Sequence, residues 1–471
     1  MKKNLDFFEK TATQRDKWKK RNSYYWNDLE TFSAYLIPEH ASVLEVGCGT
    51  GDLLANLKVQ RKTGMDFSPK MIEIAKKKHI GIDFHVMEAE KISFEKKFDY
   101  IIISNTIGYL GDIQKVFSEL KKVSHSNTKV IVTYYNFLWQ PLLSFGEFLG
   151  FRMKQPEQNW LSRADIKNLL CLSGFDAYKE GGRLLIPFYV PLISNIANKY
   201  LARLPLLRKL CLTDYVIAKP ISEKNETDWK NKYSVSVIIP ARNESGNIEN
   251  AILRTPKMGK HTEIIFIEGN STDETWETIQ KVAEKYKDVY DIKIDRQDGK
   301  GKGDAVRKGY DTASGDILMI LDADLTVPPE DLPKFYDAIA SGKGEFINGS
   351  RLAYNMDEEA MRFLNLLGNK FFSVMFTWLL DQRFKDTLCG TKVLFKSDYE
   401  YLKAGRKFFG EFDPFGDFDL IFGASKLNLK IVEIPIRYKE RTYGSTNISR
   451  FKHGLILLRM CLFASRKIKF I

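Results

Sequence analysis

The stretch Gly315-Asp316-Ile317-Leu318-Met319-Ile320-Leu321-Asp322-Ala323-Asp324-Leu325 is an apolar run of strand type that ends in two carboxylates, two residues apart. Positions i and i+2 of a strand face the same side, so Asp322 and Asp324 are expected to reach one cation at a strand end. Carboxylate oxygens suit Mg²⁺ or Mn²⁺, and these ions suit diphosphates. An isolated Asp-x-Asp is more often a strand end followed by an acidic turn, so the neighbouring residues must decide.

Similar strand ends precede this pair. One apolar strand is stopped by Pro240 and followed by polar residues, and the next ends at Glu268 in an acidic turn. The loop 299–303 then places two lysines between three glycines, which suits phosphate oxygens, although a solvated turn is the simpler alternative. Polar turns, a basic loop and a carboxylate pair along one sheet are what a nucleoside-diphosphate donor requires.

Residues 234–450 resemble the family 2 glycosyltransferases of GT-A fold, nearest the polyprenyl-phosphate (dolichol-phosphate) sugar transferases. The matching segments are Pro-Ala-x-Asn-Glu, Asp-Ala-Asp-Leu before Pro-Pro-Glu, Gly-Ser-Arg at 349–351, Asp-Thr-Leu-Cys-Gly-Thr-Lys at 386–392, and Arg441 with Gly-Ser-Thr-Asn at 444–447. The resemblance implies a nucleotide-diphospho-sugar donor, Mg²⁺ or Mn²⁺, and a lipid-linked or glycan acceptor. In-line attack predicts inversion at the anomeric carbon.

The resemblance also implies roles for individual residues. The base and ribose pocket would be formed by Pro240, Ala241, Asn243, Glu244 and Glu268. The metal and diphosphate would be held by Asp322 and Asp324, and Arg351 and Arg441 would approach the phosphates of donor or acceptor. From charge alone, Lys302 in the glycine-rich loop is a further candidate to stabilise the leaving group.

A phosphate acceptor is already an anion and needs no general base, whereas a hydroxyl acceptor would need one. Asp417 or Asp419 is the candidate for that base, and helix N-capping is the alternative role of this pair. Gly269 stands where the family usually has a second acid, which leaves uracil and guanine open. Thr326 replaces an amide side chain that often follows the metal pair.

Near the N-terminus, a strand at Val43–Val46 leads into Gly47-Cys48-Gly49-Thr50-Gly51 and then a helix. The glycines allow a tight turn and a close backbone approach to a ligand, and Asp66, at the end of the next strand, suits ribose hydroxyls. Residues 1–218 resemble class I S-adenosylmethionine-dependent methyltransferases. A nicotinamide-binding domain is the nearest physical alternative.

This second resemblance implies the cofactor-binding residues. The methionine and ribose part of the pocket would be formed by Glu45, Gly47, Gly49 and Gly51. The ribose would be bound by Asp66, and the adenine would be bordered by Glu88 and Ala89. A domain that binds the cofactor without transferring a methyl group is a further alternative.

The predicted fold class is therefore α/β with two domains, a Rossmann-like methyltransferase sheet and a GT-A sheet. The boundaries are expected at 1–219 for the first domain, 220–232 for a polar linker, 233–453 for the second domain and 454–471 for a basic amphipathic tail. The net charge is +12, and the last 23 residues carry six basic and no acidic side chains. This tail suits a membrane surface, or a solvated terminal helix.

The five cysteines are scattered, which indicates a reducing compartment rather than a disulfide framework. The charged N-terminus does not resemble a signal peptide, and no apolar run reaches the roughly 18–20 residues of a membrane span. A cytoplasmic protein, peripheral at the inner face of the membrane, is expected, with no nucleic-acid partner. A bifunctional transferase is favoured over a cofactor- and glycan-binding protein and over a nucleotidyltransferase.

Overall fold

The computed structural model describes residues 2–221, 226–351, 363–406, 418–437, 443 and 450–470. Apart from single C-terminal residues, the chain forms two compact units whose boundary lies between Ile221 and Ser222. The predicted linker 220–232 includes this boundary. Trp229 nevertheless belongs to the apolar core of the second unit, where its backbone oxygen accepts a hydrogen bond of 3.0 Å from the Tyr336 hydroxyl.

The first unit contains a seven-stranded sheet in the order β3-β2-β1-β4-β5-β7-β6. Its strands are β1 Ser42–Val46, β2 Arg61–Asp66, β3 Asp83–Val86, β4 Phe98–Ser104, β5 Ser124–Tyr135, β6 Phe175–Arg183 and β7 Thr213–Pro220. The first five strands are parallel, as the apolar runs predict, whereas β7 runs antiparallel to both β5 and β6. The sheet is therefore mixed, and β7 is its antiparallel strand.

Helices cover both faces of this sheet. They are α1 Lys2–Thr11, α2 Arg15–Arg21, α3 Ser23–Leu36, α4 Asp52–Asn56, α5 Pro69–Lys78, α6 Ile113–Lys122, α7 Gln140–Phe148, α8 Arg163–Leu172 and α9 Ile193–Lys199. The N-terminal segment thus forms three helices, with a 3₁₀ turn at Ala12–Gln14 between the first two.

The second unit also contains a seven-stranded sheet, in the order β10-β9-β8-β11-β13-β12-β14. Its strands are β8 Ser234–Ala241, β9 His261–Glu268, β10 Asp291–Arg296, β11 Ile317–Ile320, β12 Phe346–Ser350, β13 Lys392–Phe395 and β14 Ile431–Pro435. Strands β8 to β11 are parallel, and β13 is antiparallel to both of its neighbours. The carboxyl ends of β8, β9 and β11 therefore meet at one edge.

The helices of this unit are α10 Glu226–Trp229, α11 Ile248–Leu253, α12 Thr275–Tyr286, α13 Lys302–Thr312, α14 Leu332–Ala340, α15 Phe363–Leu380, α16 Lys396–Gly405, α17 Phe418–Lys426 and α18 Arg450–Ala464. Helix α18 buries one stripe, Leu457, Met460, Cys461 and Ala464, in the core. The basic tail predicted for a membrane surface thus packs against its own unit. Among the described residues, no helix is long and apolar enough to cross a membrane.

Candidate functional sites

The glycine-rich turn of the first unit connects β1 to α4. Gly47, Gly49 and Gly51 have φ angles of 75°, 52° and 79°, which L-residues with a side chain rarely adopt. A Cβ atom at Gly47 would overlap the side chain of Thr106, and one at Gly49 would lie 2.9 Å from the Arg15 guanidinium. The turn therefore requires glycine for both its conformation and its space.

Asp66 ends β2 beside this turn. Its Oδ2 accepts a hydrogen bond of 2.9 Å from the Gly49 N–H, and its Oδ1 accepts one of 3.0 Å from the Ser68 N–H. Burial raises the pKa of the Asp66 carboxyl, although these two backbone donors oppose the rise. The structure thus brings together two of the residues that sequence reasoning assigned to a cofactor.

Glu45 is buried next to the turn, and its Oε2 has no hydrogen-bond partner within the described part of the chain. Burial raises its pKa to about 8, against the opposing charges of Lys19 and Arg15. The Nε of Arg15 is likewise buried without a partner among the described residues. Because unpaired buried polar atoms are costly, this cluster is suited to a polar ligand.

Arg15 and Lys19 belong to α2, and sequence reasoning gave them no role in the site. Lys19 Nζ forms an ion pair of 2.7 Å with Asp52, the first residue of α4. This contact joins segments far apart in sequence, so only the tertiary structure reveals that α2 brings positive charge beside Glu45.

The predicted adenine border follows β3. Glu88 is exposed and lies 4.0 Å from the Lys91 ammonium, whereas Ala89 is buried in the core. The N–H of Met87 donates a hydrogen bond of 2.9 Å to the Asp66 carbonyl oxygen. This bond holds Met87 beside Asp66, and Glu88 and Ala89 follow Met87 directly in the chain.

The carboxyl ends of β4 and β5 carry a group of aromatic hydroxyls. Asn105, at φ 53°, donates a hydrogen bond of 2.8 Å from Nδ2 to the Tyr25 hydroxyl. The rings of Tyr25 and Tyr135 lie 5.6 Å apart, and the Arg152 guanidinium lies 4.9 Å from the Tyr135 ring. Because β1, β4 and β5 are parallel, this group lies at the same edge of the sheet as the glycine-rich turn.

In the second unit, β11 ends at Ile320, so the two carboxylates do not lie on a strand. The N–H of Leu325 donates a hydrogen bond of 3.0 Å to the carbonyl oxygen of Asp322, and Leu325 has a φ of 52°. The expectation that both carboxylates share one strand face is therefore wrong. Asp322 and Asp324 lie in a tight turn at the sheet edge.

Lys302, the first residue of α13, forms an ion pair of 2.6 Å between its Nζ and Asp322 Oδ1. Burial alone would raise the pKa of the Asp322 carboxyl. The positive charge of Lys302, with smaller contributions from Lys392 and Arg351, outweighs this effect and holds the pKa below its ordinary value. The carboxylate is therefore ionised at neutral pH. The structure brings these two predicted residues into direct contact.

Two residues that sequence reasoning left without a role complete this turn. Thr326 donates from its hydroxyl and from its N–H to Asp324 Oδ1, at 2.8 and 3.1 Å, and so fixes that carboxylate. A Cβ atom at Gly390 would overlap Asp322 Oδ2 and lie 2.5 Å from Lys302 Nζ. Both residues belong to segments that carry the family resemblance, but neither contact can be read from sequence.

The predicted base and ribose residues gather at the ends of β8 and β9. The N–H of Gly269 donates a hydrogen bond of 2.8 Å to the carbonyl oxygen of Ala241, the residue after Pro240. Asn243 Oδ1 accepts a hydrogen bond of 2.8 Å from the Thr272 N–H. The acids assigned to the same pocket, Glu244 and Glu268, are buried.

Arg351 lies against Asp386 rather than in open solvent. Its guanidinium donates two hydrogen bonds of 2.8 Å to the two carboxylate oxygens of Asp386, which is fully buried. This pairing indicates that Arg351 positions the 386–392 segment. The other predicted residues, Asp417 and Arg441, lie outside the described residues.

A divalent ion fits the Asp322–Asp324 turn only in part. Within the described ranges there is no group of three or more His, Cys, Asp or Glu side chains that could hold a metal by themselves. Mg²⁺, however, is commonly bound through one or two carboxylates together with substrate phosphates and water. The two carboxylates therefore fit a metal that arrives with a diphosphate.

Comparison with known proteins agrees with both halves. Residues 236–399 match the family model described as glycosyl transferase family 2, and residues 43–127 match the one described as methyltransferase domain. The chain is 41% identical over 120 residues to a dolichol-phosphate mannosyltransferase of Pyrococcus furiosus, covering 25% of this chain and 33% of that protein. It is 31% identical over 121 residues to an undecaprenyl-phosphate 4-deoxy-4-formamido-L-arabinose transferase of Edwardsiella ictaluri, covering 25% and 37%.

The chain thus spans about a third of the length of these curated relatives. A crystal structure of a methyltransferase from Thermotoga maritima, described as a possible histamine N-methyltransferase, has 20% sequence identity and a TM-score of 0.36, covering 46% of this chain and 98% of that chain. The two family matches fall on separate units of the structure. The chain therefore joins a methyltransferase domain to a domain of glycosyl transferase family 2.

Proposed function

We propose that the second unit transfers a sugar from a nucleoside-diphosphate donor to a polyprenyl phosphate, with inversion at the anomeric carbon. The observation that carries the proposal is the 2.6 Å contact of Lys302 Nζ with Asp322 Oδ1. This contact lies at the sheet edge where Asn243 and Glu268 both accept hydrogen bonds from the loop after β9. The names of both curated relatives specify a lipid phosphate, which supports the acceptor class.

Negative charge develops on the diphosphate as the glycosidic bond breaks. A divalent ion held by Asp322 and Asp324 would stabilise that charge. Lys302 adds a fixed positive charge at the N-terminus of α13, where the helix dipole acts in the same direction. The incoming phosphate is already an anion, so this chain needs no general base for the step.

For the first unit, we propose that it binds S-adenosylmethionine and methylates a lipid-linked or glycan acceptor. The bound cofactor supplies an electrophilic methyl group. The turn 47–51 and Asp66 would position it, and the unpaired Glu45 carboxyl would meet its polar end. Tyr25 and Asn105 would orient the acceptor at the adjoining strand ends.

Turnover of nucleotide sugars tests the glycosyltransferase proposal. The full chain should release free nucleoside diphosphate from UDP- or GDP-sugars when polyprenyl phosphate and Mn²⁺ or Mg²⁺ are present, and Asp324→Ala should abolish this release. An absence of turnover with every donor would reject the proposal, as would turnover of nucleoside triphosphates instead.

Ligand binding tests the methyltransferase proposal separately. S-adenosylhomocysteine should raise the melting temperature of the chain, and Asp66→Ala should remove this shift. NAD⁺ serves as the comparison ligand, because a nicotinamide-binding site would respond to it instead. A shift with NAD⁺ and none with S-adenosylhomocysteine would overturn the proposal.

A further inference from the structure

The first unit exposes a large amount of apolar surface in two short segments. Thirty large hydrophobic side chains are exposed in the described residues, and seven of them lie within 137–151 and ten within 188–210. We call these two segments together the apolar platform. Single exposed apolar residues are ordinary, but a concentration of this size marks a surface that meets another apolar phase or partner.

Helix α7 contributes an exposed stripe. Leu138, Leu142, Phe145 and Leu149 follow one another at intervals of four, three and four residues and are all about half exposed or more. Such spacing places side chains on one helical face. Helix α7 itself has no buried residue. Its apolar stripe therefore faces away from the core.

Helix α9 has the reverse of the usual burial pattern. It buries Ser194, Ala197 and Asn198, while Leu192 and Ile196 are 74% and 53% exposed. The buried Asn198 is satisfied, because its Nδ2 donates a hydrogen bond of 2.7 Å to the Ile186 carbonyl oxygen and its Oδ1 accepts one of 2.9 Å from the Ile186 N–H. Small and polar side chains thus anchor α9, and its large apolar side chains point outward.

Hydrogen bonds join the beginning of the first segment to the end of the second. Trp139 Nε1 donates to the Leu210 carbonyl oxygen at 2.8 Å, and Asn136 Nδ2 donates to the Lys209 carbonyl oxygen at 2.8 Å. The backbone of Asn136 adds a third bond, of 2.7 Å, to the Leu212 carbonyl oxygen. The platform is therefore held at fixed points rather than by its apolar side chains.

The second segment of the platform carries charge of one sign. Residues 184–212 contain four basic side chains and no acidic one. Lys199 and Lys209 are exposed among the apolar side chains. In the first segment, the acid Glu147 is already paired with Arg152. Exposed apolar side chains interspersed with lysines are the pattern of a surface that enters an anionic lipid interface.

We propose that the apolar platform docks the chain on an anionic lipid bilayer. Its apolar side chains enter the interface, and Lys199 and Lys209 lie at the level of the lipid phosphates. Strand β5 ends at Tyr135, two residues before the platform begins, so the acceptor side of the methyltransferase sheet adjoins the bilayer. This position suits a lipid-linked methyl acceptor, a consequence that rests on the proposed function.

Vesicle co-sedimentation of the full chain tests the proposal without any nucleotide or cofactor. Vesicles of phosphatidylcholine with phosphatidylglycerol are compared with vesicles of phosphatidylcholine alone. The test variant is the double substitution Phe148→Ser and Leu206→Ser, at side chains 85% and 78% exposed. The control is Ile80→Ser with Val86→Ser, at side chains 97% and 53% exposed outside the platform.

Wild type and control should bind the anionic vesicles, more weakly at high salt, and the platform variant should bind about tenfold more weakly or not at all. Lys209→Glu should also weaken binding, by about fivefold, whereas Lys91→Glu should not. No vesicle binding by the wild type, or equal binding by the platform variant, would overturn the proposal. So would a wild-type dimer that light scattering shows to become a monomer in the platform variant, because a second copy would then cover this face.

Discussion

Gly390 offers a sharp test of the donor site, because it contacts the site without supplying any functional group. A Cβ atom there would overlap Asp322 Oδ2 and lie 2.5 Å from Lys302 Nζ, against the 3.5–4.0 Å of an ordinary contact. Its φ is not in the left-handed region, so alanine is compatible with the backbone. Gly390→Ala therefore acts through the displacement of Asp322.

Overpacking of this kind costs about 1–3 kcal/mol. If the turn carries that cost, the affinity for a nucleoside diphosphate with Mn²⁺ should fall roughly 5- to 150-fold. Isothermal titration with UDP and with GDP measures the change. The control is Gly405→Ala, where a new Cβ would meet no atom within 4 Å. Equal affinity of Gly390→Ala, Gly405→Ala and wild type would refute the assignment of Asp322.

Three further predictions follow from the charges at the two sites. Lys302→Gln should lower nucleoside diphosphate release at least about tenfold, because the leaving group loses a fixed cation, whereas the exposed Lys281→Gln should leave the rate unchanged. Burial raises the pKa of Glu45 to about 8, so the folded state holds a proton that the unfolded state releases above about pH 4.5. The free energy of unfolding should therefore fall as pH rises from 4.5 to 8. Urea titrations measure this slope, and Glu45→Gln should flatten it. Arg351→Ala leaves a buried carboxylate unpaired and should destabilise the second unit by about 3–5 kcal/mol in urea unfolding, whereas Arg254→Ala, which breaks an exposed pair, should cost about 1 kcal/mol or less.

The central parallel strands β1, β8 and β11 could be predicted from sequence because each is a short apolar run that is almost entirely buried. Strand β1 covers the predicted residues 43–46 and adds Ser42, and β8 runs one residue past the predicted stop at Pro240. Strand β11 is shorter than predicted, because the Asp-Ala-Asp segment turns instead of extending. The antiparallel strands β7 and β13 depend on pairing with distant segments, which local patterns do not reveal.

The site residues divide in the same way. Motifs pointed to Asp66 and Asp322 because acids stand at or just after strand ends, and to Lys302 because it lies beside a glycine-rich loop. The motifs did not reveal that Arg351 forms an ion pair with Asp386, or that Arg15 reaches the glycine-rich turn. Both contacts join segments that are far apart in sequence. Periodicity shows that a helix has an apolar stripe but does not show whether the stripe faces the core.

The C-terminal tail and the apolar platform illustrate this last difficulty. The basic tail suggested a membrane surface, yet α18 places Leu457 and Cys461 in the core. Helices α7 and α9, which drew no such prediction, expose their largest apolar side chains. Whether an apolar residue is exposed depends on what the rest of the fold offers it, and only the tertiary structure supplies that information.

The central claim is that Asp322 and Asp324 hold a divalent ion together with a nucleoside diphosphate. Electron paramagnetic resonance of Mn²⁺ measures this directly, since the signal of free Mn²⁺ falls when the ion binds. We expect UDP or GDP to increase Mn²⁺ binding by the wild-type chain, and Asp324→Asn to remove that increase. Mn²⁺ binding that neither nucleotide changes, or that Asp324→Asn leaves intact, would contradict the account.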